Sequence, residues 1–128
     1  TRYLKELNDK LTELNALGID VVAVSADTQQ QAQTQIAEIT PDYDIAYNLN
    51  RQQMQTLGVY ISEPRSSTET DHLFAEPGLF VINREGKIQL IDISNAPFCR
   101  PDLSTLLMGI KFIRDPKNQY PIRGTFDE

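Results

Sequence analysis

Two short apolar segments joined by a polar turn constrain this chain more than any other feature of its sequence. Residues 78–82 and 87–93 are rich in branched aliphatic side chains, and Asn-Arg-Glu-Gly connects them at 83–86. Gly86 closes this connection, where a hairpin turn needs a residue that tolerates a positive φ. The pattern therefore predicts an antiparallel hairpin, which any fold proposed for the chain must contain.

The amino-terminal part predicts a helix followed by a buried strand. Apolar side chains recur at steps of three and four up to Leu17, which draws one stripe on a helix, and Gly18 follows as a helix stop. Residues 19–24 form a nearly continuous β-branched run, which is typical of a strand buried on both faces of a parallel sheet. We therefore expect this strand to lie inside the sheet, with the first helix packed on one face.

Shorter elements complete the predicted order. A glutamine-rich helix at about 28–39, capped by Asp27 or Thr28, is followed by a short half-exposed strand and by a brief helix that Asn50 caps. A final helix with a wide apolar face begins at Pro101, because proline is favoured at the first helical position. Helices that alternate with a parallel strand and a hairpin indicate an α/β sandwich with a mixed sheet.

Composition and charge exclude several classes of protein. The 128 residues fit one domain, and a formal net charge of −6 without any basic run would repel a phosphate backbone, so nucleic acid is not expected as a partner. The longest apolar stretches fall far short of the roughly 18 to 20 residues that a membrane helix needs, so no membrane span is expected. The first residues predict an amphipathic helix rather than a signal peptide, which makes the cytoplasm the expected location.

Two polar segments are expected to lie outside the packed core. Residues 62–76 are predicted to form a flexible surface loop, and residues 115–128, with two prolines, an extended tail. His72 lies in the loop among acidic residues, which could suggest a metal ion, but no pair of residues there has the spacing of metal ligands. We therefore expect a solvated histidine, no metal and no other cofactor.

Four segments, taken together, resemble one known family. They are Gly-Ile-Asp-Val-Val-Ala-Val-Ser-Ala-Asp at 18–27, Glu-Pro-Gly-Leu-Phe-Val-Ile-Asn at 76–83, Glu-Gly-Lys-Ile at 85–88 and Ala-Pro-Phe-Cys-Arg-Pro-Asp-Leu at 96–103. In this order and spacing they resemble the alkyl hydroperoxide reductase and thiol-specific antioxidant (AhpC/TSA) family of peroxiredoxin-like proteins. The resemblance implies a thioredoxin-like, three-layer α/β sandwich with a central mixed sheet. It also implies reduction of hydrogen peroxide or alkyl hydroperoxides at a cysteine that an external thiol recycles.

The same resemblance places the catalytic cysteine outside this sequence. In the family, the peroxidatic cysteine follows a hydrophobic strand and directly precedes the first helix, and residues 1–4 resemble what comes after it. A thiolate at that position is stabilised by the unpaired N–H groups of the helix terminus, which explains the placement. The resemblance therefore implies a sheet that is incomplete at the amino terminus, and a chain that is inactive as given.

The resemblance also assigns residues to the active site. Arg100 is similar to the family's active-site arginine, which would stabilise the thiolate and the charge that develops as the O–O bond breaks; the alternative is a solvated surface arginine. Pro77 resembles the proline that is cis and faces the redox cysteines in thioredoxin folds; the alternative is an ordinary trans proline. Cys99, the only cysteine, matches no peroxidatic position, and a buried structural thiol is the alternative to a redox role.

The missing central strand has consequences for the whole chain. We expect the chain to re-close its sheet, to pair across a homodimer, or to have been cut from a longer form. A rival interpretation is a non-enzymatic thioredoxin-fold module that binds partners through the open face of its sheet. Upstream sequence separates the two interpretations, because a hydrophobic strand and a cysteine motif there would favour the enzyme.

Overall fold

The amino-terminal helix that the sequence predicts as one segment is divided in two. The computed structural model describes residues 2–37 and 39–127. Helix α1 spans Arg2–Asp9 and helix α2 spans Leu11–Ala16. Gly18 then ends the helical structure with a φ of 78°, as predicted.

A parallel pair of strands follows these helices. Strand β1 (Val22–Val24) pairs with β2 (Asp44–Ala46), and helix α3 (Gln29–Ile36) forms the crossover between them. Thr28 caps α3 reciprocally: its hydroxyl accepts from the Gln31 N–H at 3.2 Å, while the Gln31 side chain accepts from the Thr28 N–H at 3.0 Å. The predicted cap is therefore confirmed.

The predicted burial of both faces of residues 19–24 is wrong. Val22 and Val24 are 59% and 53% exposed, and only Ile19 and Val21 pack against the core. Within the described residues, β1 has a neighbouring strand on one edge alone. In this part of the chain, its other edge therefore has no strand beside it whose side chains could pack next to these valines.

A helix precedes the long polar segment, and a short pair of strands flanks it. Helix α4 spans Arg51–Leu57, Asn50 caps it as predicted, and Met54 is its buried side chain, 2% exposed. Strand β3 (Ile61–Ser62) then pairs in antiparallel fashion with β4 (Phe74–Ala75). The two ends of the predicted loop at 62–76 are thus tied together, while its flexibility stays a prediction.

The hairpin forms as the sequence predicts. Strand β5 (Gly78–Ile82) pairs in antiparallel fashion with β6 (Ile88–Ile93). The side-chain oxygen of Asn83 accepts two backbone N–H groups of the turn, each at 3.0 Å. Gly86 takes a φ of 79°, which confirms the reason for glycine at that position.

A long helix, with a short 3₁₀ helix on either side of it in the sequence, follows the hairpin. A 3₁₀ helix at Pro97–Cys99 precedes helix α5 (Leu103–Arg114), and the carboxylate of Asp102 caps α5 by accepting a first-turn N–H at 3.0 Å. The prediction that Pro101 occupies the first helical position is wrong, because it lies before this cap. A further 3₁₀ helix, Pro116–Asn118, lies within the predicted tail.

The core joins the helices to both kinds of strand pair. Leu14 of α2 and Leu107 and Ile110 of α5 are buried together, with Val21 and Val81 packed against them. Parallel and antiparallel pairing are both present, as an α/β fold with a mixed sheet requires, but in the described residues the pairs are separate two-stranded sheets. In that same part of the chain, no helix is long and apolar enough to cross a membrane.

Candidate functional site

The segment before α5 lies against the first turn of α1. The guanidinium carbon of Arg100 is 5.2 Å from the centre of the Tyr3 ring, within the range of a cation–π contact. The two residues line an open cleft of about 460 Å³, whose other lining residues are Arg2, Glu6, Pro97, Phe98, Pro101 and Asp102. Arg100 is the arginine that the family resemblance assigns to the active site. Folding therefore places it at the amino end of the first helix.

Tyr3 holds this segment at a second point. Its hydroxyl donates a hydrogen bond of 2.9 Å to the carbonyl of Pro101. Burial raises the pKa of the Tyr3 hydroxyl, and the nearby Arg100 partly offsets this because a cation stabilises the phenolate. The hydroxyl therefore stays protonated at neutral pH and continues to donate.

The guanidinium of Arg100 keeps its hydrogen-bond donors available. The residue is exposed, and no carboxylate pairs with it in the part of the chain that the structure describes. Hydrogen bonds from Thr105 lower the pKa of the Asp102 carboxyl, so this nearby acid is charged but engaged elsewhere. The planar fork of N–H groups on Arg100 can thus face an anion, or a developing negative charge, in the cleft.

The other two assigned residues do not line this cleft. Cys99 is exposed at the end of its 3₁₀ helix, so the alternative of a buried structural thiol is wrong. Pro77 leads into β5, and its carbonyl accepts the Ser94 N–H at 3.0 Å. No peptide bond is cis in residues 2–37 and 39–127, so Pro77 takes the trans form. The roles of both residues in chemistry stay predictions.

A second polar cluster surrounds His72, which the sequence had predicted to be solvated. That prediction is wrong, because the imidazole is only 26% exposed and its Nε2 lies 3.1 Å from the Asp27 carboxylate. The same nitrogen lies 3.2 Å from the side-chain oxygen of Gln31, and Nδ1 lies 2.8 Å from the Leu73 carbonyl. Asp27 lies three residues beyond Val24, where β1 ends, and its partner His72 lies far along the chain in a segment without periodicity. No local pattern in the sequence therefore indicated that the two side chains would meet. Among the described side chains, no group of three or more His, Cys, Asp or Glu is arranged to hold a metal ion.

Comparison with known proteins supports the fold and identifies a family. The AhpC/TSA family model matches residues 1–91, a range that ends before Arg100. The structure is similar to a crystal structure of a cysteine-to-serine mutant of peroxiredoxin 6 of Arenicola marina, with a TM-score of 0.74 and 16% identity over 89% of this chain. At this identity the likeness confirms the thioredoxin-like fold alone, and this chain spans 54% of that structure's length. No protein with a curated description matches the sequence.

Proposed function

The chain belongs to the AhpC/TSA family, and on that premise we propose that it is the scaffold of a thiol-dependent peroxidase. The substrates are hydrogen peroxide or alkyl hydroperoxides, and an external thiol recycles the enzyme in the cytoplasm. No cofactor is required, because both electrons come from sulfur.

The position of Arg100 at the amino end of α1 carries this proposal. Unpaired backbone N–H groups and the helix dipole stabilise a thiolate placed at such an end. The guanidinium, held 5.2 Å from the Tyr3 ring, would lie beside that thiolate and beside the peroxide oxygen that takes up negative charge. The helix terminus and the arginine would then act on the same reacting atoms.

The proposed reaction transfers two electrons from sulfur to the peroxide. The thiolate attacks the nearer peroxide oxygen, so an S–O bond forms as the O–O bond breaks. The departing oxygen takes up a proton and leaves as water or an alcohol, while the sulfur becomes a sulfenic acid. An external thiol condenses with the sulfenic acid and releases water, and a second thiol then restores the cysteine.

The nucleophile, in this proposal, is carried on a strand that joins the separate sheets. β1 and β5 belong to different sheets, and Val22, Val24 and Ile82 on these strands are each more than half exposed. A strand paired between them would give such side chains cross-strand neighbours on the same face and reduce their exposure, each pair contributing about 0.2–1 kcal/mol. Pairing across a homodimer is the alternative way to cover the same edges.

A longer chain that includes an upstream strand and cysteine tests the proposal against the 128-residue chain. The short chain should reduce peroxide at the background rate, with or without Cys99→Ser, whereas the longer chain should turn over with an external thiol. In the longer chain, Arg100→Ala should slow the reaction about 10²-fold, the scale of losing one charge-stabilising group. Peroxide reduction by the short chain that Cys99→Ser abolishes would overturn the proposal.

The chain offers a matched control for Arg100→Ala. Arg123 also stacks on a tyrosine, 4.9 Å from the ring of Tyr120, and does not line the cleft. Arg123→Ala removes the same charge and the same kind of contact, and should leave the rate unchanged. An equal slowing in both variants would show that lost charge or lost stability, rather than the cleft, is responsible.

A non-enzymatic thioredoxin-fold module is the second candidate. The exposed valines of β1 favour it, since an open apolar edge is suited to binding a partner strand. Absence of turnover in a longer chain that contains the upstream cysteine would support this candidate over the peroxidase.

A further inference from the structure

Two arginines line the cleft, and Arg100 contacts an aromatic ring, whereas Arg2 pairs with the acid Glu6. An acidic partner would occupy one or two of the guanidinium N–H groups and neutralise much of the charge. The face of a ring attracts the same cation through its quadrupole and takes none of those donors. The contact between Arg100 and Tyr3 therefore locates the charge and leaves its hydrogen-bonding groups available.

Acids that line the cleft do not pair with Arg100 in the part of the chain that the structure describes. Glu6 and Asp102 line the same cleft, and both place negative charge near Tyr3. The Glu6 carboxylate lies 3.5 Å from Nε of Arg2. The Asp102 carboxylate accepts a hydrogen bond of 2.9 Å from the hydroxyl of Thr105, in the first turn of α5. Each acid thus has another partner, and the ring is left as the contact of the guanidinium.

We propose that Tyr3 is a positioning residue for Arg100: its ring holds the guanidinium over the amino end of α1, and its hydroxyl fixes the adjoining backbone at Pro101. The inference rests on the proposed function of Arg100. The hydroxyl acts on the backbone one residue beyond Arg100, at 2.9 Å, whereas the ring contacts the charge itself. Loss of the ring should therefore matter more than loss of the hydroxyl.

The contact can be measured in the 128-residue chain without any assay of activity. NMR of tyrosine labelled at the ring carbon that bears the hydroxyl follows the titration of Tyr3 separately from the other tyrosines. Arg100 lowers the pKa of Tyr3 by stabilising the phenolate, so Arg100→Ala should move this titration to higher pH. Arg123→Ala should not move it. A Tyr3 titration that Arg100→Ala leaves unchanged would overturn the inference.

Rates in the longer, cysteine-containing chain measure the consequence of the contact. Tyr3→Leu should slow peroxide reduction about 10-fold, and Tyr3→Phe, which keeps the ring, by less than about 3-fold. Tyr43→Phe is the matched control, since it also removes a 2.9 Å bond from a tyrosine to a carbonyl, that of Leu4, and it should not change the rate. In the Arg100→Ala background, Tyr3→Leu should add no further loss.

The outcomes separate this inference from the proposed function. An unchanged rate in Arg100→Ala would overturn the catalytic role of the arginine, and with it the role of Tyr3. Slowing by Arg100→Ala without slowing by Tyr3→Leu would overturn the positioning role alone. Losses that multiply in the double variant would do the same, because they would show that Tyr3 acts on the rate independently of Arg100.

Discussion

Two arginine–tyrosine pairs occur among the residues that the structure describes, and they are assembled in opposite ways. Arg123 lies over the ring of Tyr120 at 4.9 Å, and the two residues are three positions apart in the sequence. Arg100 lies over Tyr3 at 5.2 Å, although the two come from distant parts of the chain. The first pair needs only a local turn of the backbone. The second pair exists only once α1 and the segment before α5 have docked.

The other contacts of the two tyrosines are likewise local in one pair and long-range in the other. Tyr120 packs edge-on against Phe112 of α5, with ring centres 5.8 Å apart, so it attaches the tail to the helix next to it in sequence. Tyr3 donates to the carbonyl of Pro101 and so attaches the beginning of the fold to a segment near its end. The same chemistry serves local packing in one pair and, in our proposal, the position of a catalytic charge in the other.

Removal of a core side chain should have the largest effect on stability, because it weakens the packing on which the long-range pair depends. Ile110 is 4% exposed and lies with Leu14 where α5 packs on α2, so Ile110→Ala should lower the free energy of unfolding by about 2–5 kcal/mol. Urea denaturation measures this loss. Phe126→Ala is the control, because Phe126 is 91% exposed and its removal should change stability by less than about 0.5 kcal/mol. Equal effects would contradict the docking of α5 described above.

Removal of a single hydroxyl should sharpen the comparison between the two tyrosines. Tyr3→Phe loses the bond to Pro101, which should lower the free energy of unfolding by about 0.5–1.5 kcal/mol. Tyr120→Phe keeps both ring contacts and should change it by less than about 0.5 kcal/mol. The two variants can be compared in the same denaturation experiment. A Tyr3→Phe variant as stable as the parent would mean that this hydroxyl contributes no net stability.

Alkaline pH should produce the smallest of these effects on the stability of the fold. Burial raises the pKa of both Tyr3 and Tyr43 above the ordinary 10.0. A folded pKa above the unfolded one means that the stability is complete below pH 10 and is lost as the pH rises through the folded pKa. Melting temperatures measured upward from neutral pH should therefore fall above about pH 10. The double variant Tyr3→Phe, Tyr43→Phe should show a smaller fall, and an identical fall would contradict the assignment to these groups.

Local signals predicted the features whose causes lie within one turn of the chain. Thr28 and Asn50 cap their helices, and Gly86 takes the positive φ of the hairpin turn. Each follows from hydrogen-bonding or steric rules that act over a few residues. The active-site role of Arg100 stays a prediction from resemblance to a motif, and the motif specified neither its neighbours nor the ring that it contacts.

Burial was less predictable, because it depends on neighbours that a strand's own composition does not specify. Residues 19–24 have the composition of a buried strand, yet Val22 and Val24 are exposed, and β1 has one neighbouring strand in the described part of the chain. His72 shows the opposite error, since a polar surrounding sequence concealed its contact with Asp27 at 3.1 Å.

The sequence by itself determined the caps, the hairpin turn and the approximate places of the main helices and strands, but neither the break between α1 and α2 nor the short pair of β3 and β4. The role of Arg100 is a prediction from resemblance. Only the tertiary structure decided that Tyr3 would meet this arginine. A contact between residues so far apart must overcome the entropy of closing a long loop, and the buried packing of α2 against α5 in the same fold contributes the free energy that one surface contact alone does not supply.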